Sequence, residues 1–274
     1  MPIPLRGVFR RLIPFSLSLL ASAPLVTLVP APAQAAAAPV ATRRRQEPMR
    51  RFFVLKSVDG RILANGEEVT AEEGGHVRSD LAFRFLDGSL DEQITTFTQD
   101  GVFRLIHDHH VQKGPSFPTP LDMTVDVPTG TVTWHEWKDG QDQVSSVHLT
   151  MPDDVANGLV PLLTENVPPG PAPLDVSWIA LAGKPILVTL SIQPDAAPSP
   201  AHAPALEHAN RYLLHVELHG LAMLVAPLIN RQPADLHVWV SDAAQPSFLQ
   251  LQGPFYQAGP VWTVESVDPP TEDP

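Results

Sequence analysis

From Phe52 onward, apolar and polar side chains alternate with a period of two. Leu81, Phe83 and Phe85 oppose Ala82 and Arg84, and Leu121, Met123, Val125 and Val127 oppose Asp122, Thr124 and Asp126. This is the pattern of strands with one buried face and one wetted face. The second half repeats it: Ile186, Val188, Leu190 and Ile192 form one face, and Tyr212, Leu214, Val216 and Leu218 alternate with Leu213, His215, Glu217 and His219. Leu236, Val238 and Val240 follow, then Phe248, Leu249 and Leu251, then Val261 to Val264. Turn dipeptides punctuate the first half at Asp59-Gly60, Asn65-Gly66, Asp87-Gly88, Asp100-Gly101, Thr129-Gly130 and Asp139-Gly140. Such pairs accept the positive φ angles of tight hairpins. One helix is predicted. Pro152-Asp153-Asp154 offers a capping carboxylate, and Val155, Leu159, Leu162 and Leu163 follow at helical spacing. Pro161 keeps it short, because proline is tolerated only in the first turn.

So many strands in hairpin order do not stay flat; a sheet of that size curls, splits into two layers or closes. The expected fold is all-β with one short helix. It is a large curved antiparallel meander sheet or half-barrel with the helix on its concave side; a two-layer β-sandwich is the alternative.

The domain so predicted occupies residues 51–267. Before it, Arg6, Arg10 and Arg11 form a positive head, an apolar run extends from Leu12 to Val29, and Ala33-Gln34-Ala35 ends it. These are the three parts of a secretory signal, so residues 1–35 are expected to be a cleaved signal peptide, with the mature chain periplasmic or secreted. Residues 36–50 lack apolar periodicity and read as a flexible basic linker. Residues 268–274 read as a disordered acidic tail. The chain has no cysteine, which excludes disulfides, thiolate metal sites and cysteine nucleophiles. No second apolar stretch approaches membrane length, so no membrane span is expected in the mature chain.

The net charge is −12. Five arginines (Arg43, Arg44, Arg45, Arg50 and Arg51) cluster just after the signal, so the body beyond them is more acidic still. Such a body repels phosphate backbones, and no nucleic-acid partner is expected.

Candidate chemistry is sparse. His107-Asp108-His109-His110 offers imidazoles, but in a strand His107 and His109 point one way and Asp108 and His110 the other. Phe103, Leu105 and Val111 would share the face of His107 and His109, at the rim of the core. His215, Glu217 and His219 share a strand face, and two imidazoles with a carboxylate can form an open metal site. Their span of roughly 13 Å is too long for one ion without a kink. These five residues are the metal candidates, and both sets read more simply as polar strand positions. No nucleophile elbow, phosphate loop or dinucleotide fingerprint occurs, so no catalytic residue and no cofactor are assigned.

Several stretches resemble a group of uncharacterised exported bacterial proteins. They are Asp87-Gly88-Ser89-Leu90-Asp91, residues 114–120 (GPSFPTP), Pro152-Asp153-Asp154 with Asn157-Gly158, residues 225–240 (VAPLINRQPADLHVWV), and Gly253-Pro254-Phe255-Tyr256 with Gly259-Pro260-Val261-Trp262. That resemblance brings no residue roles with it. In shape alone, the expected sheet resembles the half-barrels of periplasmic lipoprotein carriers, whose concave face holds acyl chains. The function expected is therefore a non-catalytic exported protein binding an apolar or amphipathic ligand on a concave face. One alternative is a cell-envelope metal- or carboxylate-dependent hydrolase, which needs some of His107, His109, His135, His148, His215, Glu217 and His219 to meet. The other is a structural adaptor that engages another envelope protein through a strand edge.

Overall fold

The computed structural model describes residues 39–138, 141–167, 170–196, 206–218 and 233–269. The expected signal peptide, His219, Asp139-Gly140, residues 225–232 of one resemblance stretch and most of the acidic tail lie outside them. Eight strands come first: β1 (Met49–Ser57), β2 (Ile62–Glu73), β3 (His76–Phe85), β4 (Leu90–Thr98), β5 (Arg104–Lys113), β6 (Leu121–Asp126), β7 (Thr131–Lys138) and β8 (Gln141–His148). A short helix α1 (Val160–Thr164) follows. Six strands complete the chain: β9 (Leu174–Leu181), β10 (Pro185–Pro194), β11 (Ala209–Glu217), β12 (Leu236–Ser241), β13 (Phe248–Pro254) and β14 (Val261–Val267).

All of them join one sheet in the order β8-β7-β6-β5-β4-β3-β2-β1-β14-β13-β12-β11-β10-β9, every pair antiparallel. The architecture is the curved meander, not the sandwich. The chain meanders from the middle to one edge, crosses to the far edge through the α1 segment, and meanders back until β14 closes on β1.

Contacts measure the curvature. Ten inter-strand steps separate β5 from β9, about 48 Å if the sheet were flat. Yet neighbouring residues of the crossover touch both. The Asn157 side chain pairs with the Ile179 backbone on β9, and Gly158 lies against Asp108 of β5 and Thr95 of β4. The sheet therefore curls around α1, whose Leu162 and Leu163 are buried in one continuous apolar core.

The helix begins later than predicted. Asp154 does not cap it; its carboxylate accepts from the Ser177 backbone N–H and hydroxyl on β9 instead. Pro161 sits in the first helical turn, where its missing N–H costs nothing.

One glycine signal reads differently in three dimensions. Asn65-Gly66 is no turn but lies within β2, while the β2–β3 hairpin turns at Gly74 and Gly75 with φ of 59° and 81°. Gly66 is a strand residue because Phe53 and Phe83 flank it on both sides in register, and a Cβ there would overlap the Phe83 ring. A glycine within a strand often marks such a close approach.

Both ends of the trough are filled. At one end, Phe85, Phe117, Phe255, Tyr256 and Trp262 form a chain of edge-on and tilted ring contacts 5.3–6.0 Å between centroids. Residues 114–120 and 253–262, two of the resemblance stretches, supply most of these rings. At the other end, residues 40–46 run as a strap. Ala41 bridges Val102, the Arg43 and Arg44 N–H groups donate to Asn166 Oδ1, and Arg44 reaches the Pro246 carbonyl. Gln46 and Gln99 exchange two hydrogen bonds. The stretch expected to be a flexible linker is thus hydrogen-bonded into the body from Val40 on. Among the described residues, no helix is long and apolar enough to cross a membrane.

Candidate functional site

The sheet's interior is not uniformly apolar. A bulge in β5 explains much of this. Phe97 pairs with Leu105 but Thr96 pairs with His107, so Ile106 is an extra residue. A one-residue insertion reverses which side chains face inward. Phe103 and Leu105 are buried before the bulge; after it Asp108 and Gln112 are buried, not His107 and His109. The expectation that His107 and His109 share the face of Phe103 and Leu105 fails for this reason.

Asp108 is fully buried and held by three short contacts: Thr95 Oγ1 donates at 2.9 Å, and Gln93 Nε2 lies 3.1 and 3.2 Å from its two oxygens. Burial pushes its carboxyl above the usual range, against the opposing pull of His110, Thr95, Gln93 and His107. His110 Nε2 lies 2.8 Å from Asp91 Oδ1, and Gln112 Nε2 donates to the other Asp91 oxygen. Burial works against the imidazolium of His110, but the charge and hydrogen bond of Asp91 and the charge of Asp108 outweigh it and raise its pKa.

A second polar group lies beside the first. Arg51 on β1 bridges Glu68 on β2 and Glu165 just after α1, at 2.8 and 2.7 Å. Glu165 also accepts from the Phe248 backbone N–H. Burial disfavours the guanidinium, yet the two carboxylates more than compensate and raise its pKa. Between the two groups and α1 runs a cleft of about 20 Å³, bordered by Arg51, Glu68, Thr95 and Gly158. That is room for about one water molecule. The arrangement can fix the crossover in place.

The remaining histidines are dispersed. His109 pairs with Asp122, His135 with Asp142 and His215 with Asp235, each imidazole with its own carboxylate. Glu217 is exposed at the end of β11. Among the described residues, no three histidines or carboxylates are grouped to hold a metal ion.

Sequence reasoning missed a cluster on the outer face of β11 and β12. There Arg211 lies 5.0 Å over the Trp239 ring, and Asp195 Oδ2 is 2.9 Å from Arg211 Nε and 3.1 Å from His237 Nδ1. Arg211 and Trp239 are direct cross-strand partners, a signal that needed the β11–β12 register to be seen.

The two edges of the sheet differ. On β9, Ser177 N–H donates to Asp154 and its carbonyl accepts from Ala156 N–H. Ile179 N–H and carbonyl both pair with the Asn157 side chain. The middle of that edge is capped. On β8 the outward row has no such cover among the described residues. The strand pairs with β7 over its whole length without a bulge, and its residues are exposed or half-exposed throughout, Val144 at 62%. No family model, curated protein or solved structure matches the chain.

Proposed function

We propose that the protein is a non-catalytic, exported adaptor that works by strand addition, with β8 as the acceptor edge. The observation that carries this reading is the contrast between the edges. Natural sheets blunt an exposed edge with lysine, proline, a bulge or a covering segment. β9 has its cover; among the described residues β8, QDQVSSVH, has no lysine, proline, bulge or covering segment. An extended segment can dock there through main-chain hydrogen bonds. The filled trough and the dispersed histidines favour this reading over a hydrolase. A photo-crosslinking side chain at position 144, installed in the exporting host, tests it. A discrete adduct that disappears with a Ser146→Pro edge block supports strand addition. Slow exchange of the β8 amides that point away from β7 in the isolated monomer overturns it, because the edge would then be covered by its own chain.

A second reading, an amphipathic ligand on the concave face, draws support from α1 itself. Leu159, Leu162 and Leu163 lie buried in the trough as an apolar guest would, and Glu165 latches the segment at its end. Binding there requires the crossover to leave. An apolar fluorescent probe that binds the Glu165→Gln variant stoichiometrically and more tightly than the parent would favour it; no binding to either removes it.

A further inference from the structure

We infer that the strand β8 accepts is β8 of a second copy, paired antiparallel about a twofold axis through Ser145. The inference rests on the strand-addition reading and names its partner. A continuous sheet across a twofold axis keeps each face on its own side, so residues opposite one another must be separated by an even number of positions. The axis then passes through a residue, and within β8 only a few choices remain.

Centring on Ser145 sets Val144 against Ser146 of the copy and Gln143 against Val147. It also sets Asp142 against His148, once at each end of the pairing. Asp142 is the one carboxylate of the strand and His148 its one imidazole, so an acceptor meets a ring N–H donor at both ends and the two carboxylates are kept apart. Centring on Val144 places Asp142 against Ser146 and runs His148 past the strand end; centring on Ser146 runs Asp142 off it. Only the Ser145 register uses both. In the free chain Asp142 already has an imidazole neighbour, with His135 Nδ1 2.9 Å from Oδ2. The approaching His148 therefore meets a carboxylate that is fixed in position. Val144, the exposed large hydrophobic side chain of the strand, gains a cross-strand neighbour in the same step.

The chain's lack of cysteine makes the register directly testable. In the Ser145 pairing a Ser145→Cys variant faces itself across the axis with Cα atoms about 4.5–5.5 Å apart, within disulfide range. Cysteines at 143 or 147 would each lie about 13 Å from their own copies. Mild oxidation of the purified protein is expected to link Ser145→Cys into a covalent dimer rapidly and to leave Gln143→Cys and Val147→Cys without a disulfide link. Sedimentation should show a dimer in the parent chain. Asp142→Lys and His148→Glu should each weaken it at least tenfold, and the two together should restore it.

A parent chain that sediments as a monomer up to high concentration, with no preferential linkage at 145, overturns self-pairing. If position 144 then still crosslinks to a different protein, strand addition survives and only the choice of partner fails. If the β8 amides that point away from β7 are slow to exchange in that monomer, both readings fall together.

Discussion

The two halves of the curved sheet solve the same burial problem with different chemistry. The β9–β12 half turns Val176, Val188, Leu190, Ile192, Leu214 and Val238 inward. The β1–β5 half turns Arg51, Glu68, Thr95, Asp91, Asp108 and Gln112 inward beside its phenylalanines, and pairs nearly all of them. Buried apolar groups gain roughly in proportion to area and tolerate small changes of shape. Buried polar groups contribute little net but are costly to leave without a partner. The polar half should therefore be brittle where the crossover meets it, and the aliphatic half forgiving.

The largest expected effect is at the contact between crossover and sheet. Gly158 has φ of 73°, and a Cβ there would overlap Thr95 and Asp108. Gly158→Ala combines left-handed strain with overpacking, together about 4 kcal/mol. Urea melts should show that loss. Hydrogen exchange should show Ser177 and Ile179 amides losing protection first, since Asp154 and Asn157 hold them. A stable variant with those amides still slow would mean that the crossover is not seated on the polar half.

Glu165→Ala comes next. It leaves Arg51 buried with only Glu68 as a counter-charge and removes the acceptor of the Phe248 N–H, at a cost of about 3 kcal/mol. In the aliphatic half Ile192→Val should cost only about 0.5–1.5 kcal/mol, although Ile192 is fully buried. Equal losses for the two would erase the contrast between the halves.

The contrast also marks where the sequence was readable. Period-two patterning and the Gly60, Gly88, Gly101 and Gly130 turns carry the strands and the all-β curved sheet, because each is a local signal. Asn65-Gly66 misled because the same dipeptide suits a hairpin turn and a close aromatic approach, and only the neighbouring strands decide between them. The polar half was illegible for a related reason. One extra residue at Ile106 exchanges the faces of β5, and nothing in RLIHDHH announces a bulge. The crossover's seat and the strap at 40–46 depend on contacts across more than a hundred residues, such as Arg43 and Arg44 with Asn166. Periodicity does not report those.

The subtlest expected difference is a slope. Asp108 has its pKa raised in the folded state, mainly by burial. Its neutral form is the one the fold favours, so the contribution is fully present below the unfolded value of about 3.9 and is lost as pH rises through the folded value. His110 is also raised; its contribution is present below about 6.5 and is lost as pH rises through its own folded value. Both tilt stability downward from acid to neutral pH. Exposed Asp59 and Asp87 and half-exposed Asp126 are lowered by local hydrogen bonds. Their contributions are present above about 3.9 and fade only as pH falls through their lowered values, so they act in a more acidic window. Asp108→Asn keeps an acceptor for Thr95 and removes the buried charge, so it should match the parent in acid and exceed it at pH 7 and above. Urea titrations of both proteins from pH 4.5 to 8 measure that divergence. A difference that stays constant with pH would mean that Asp108 is already neutral throughout, and that the polar half is held by hydrogen bonds rather than by a buried charge.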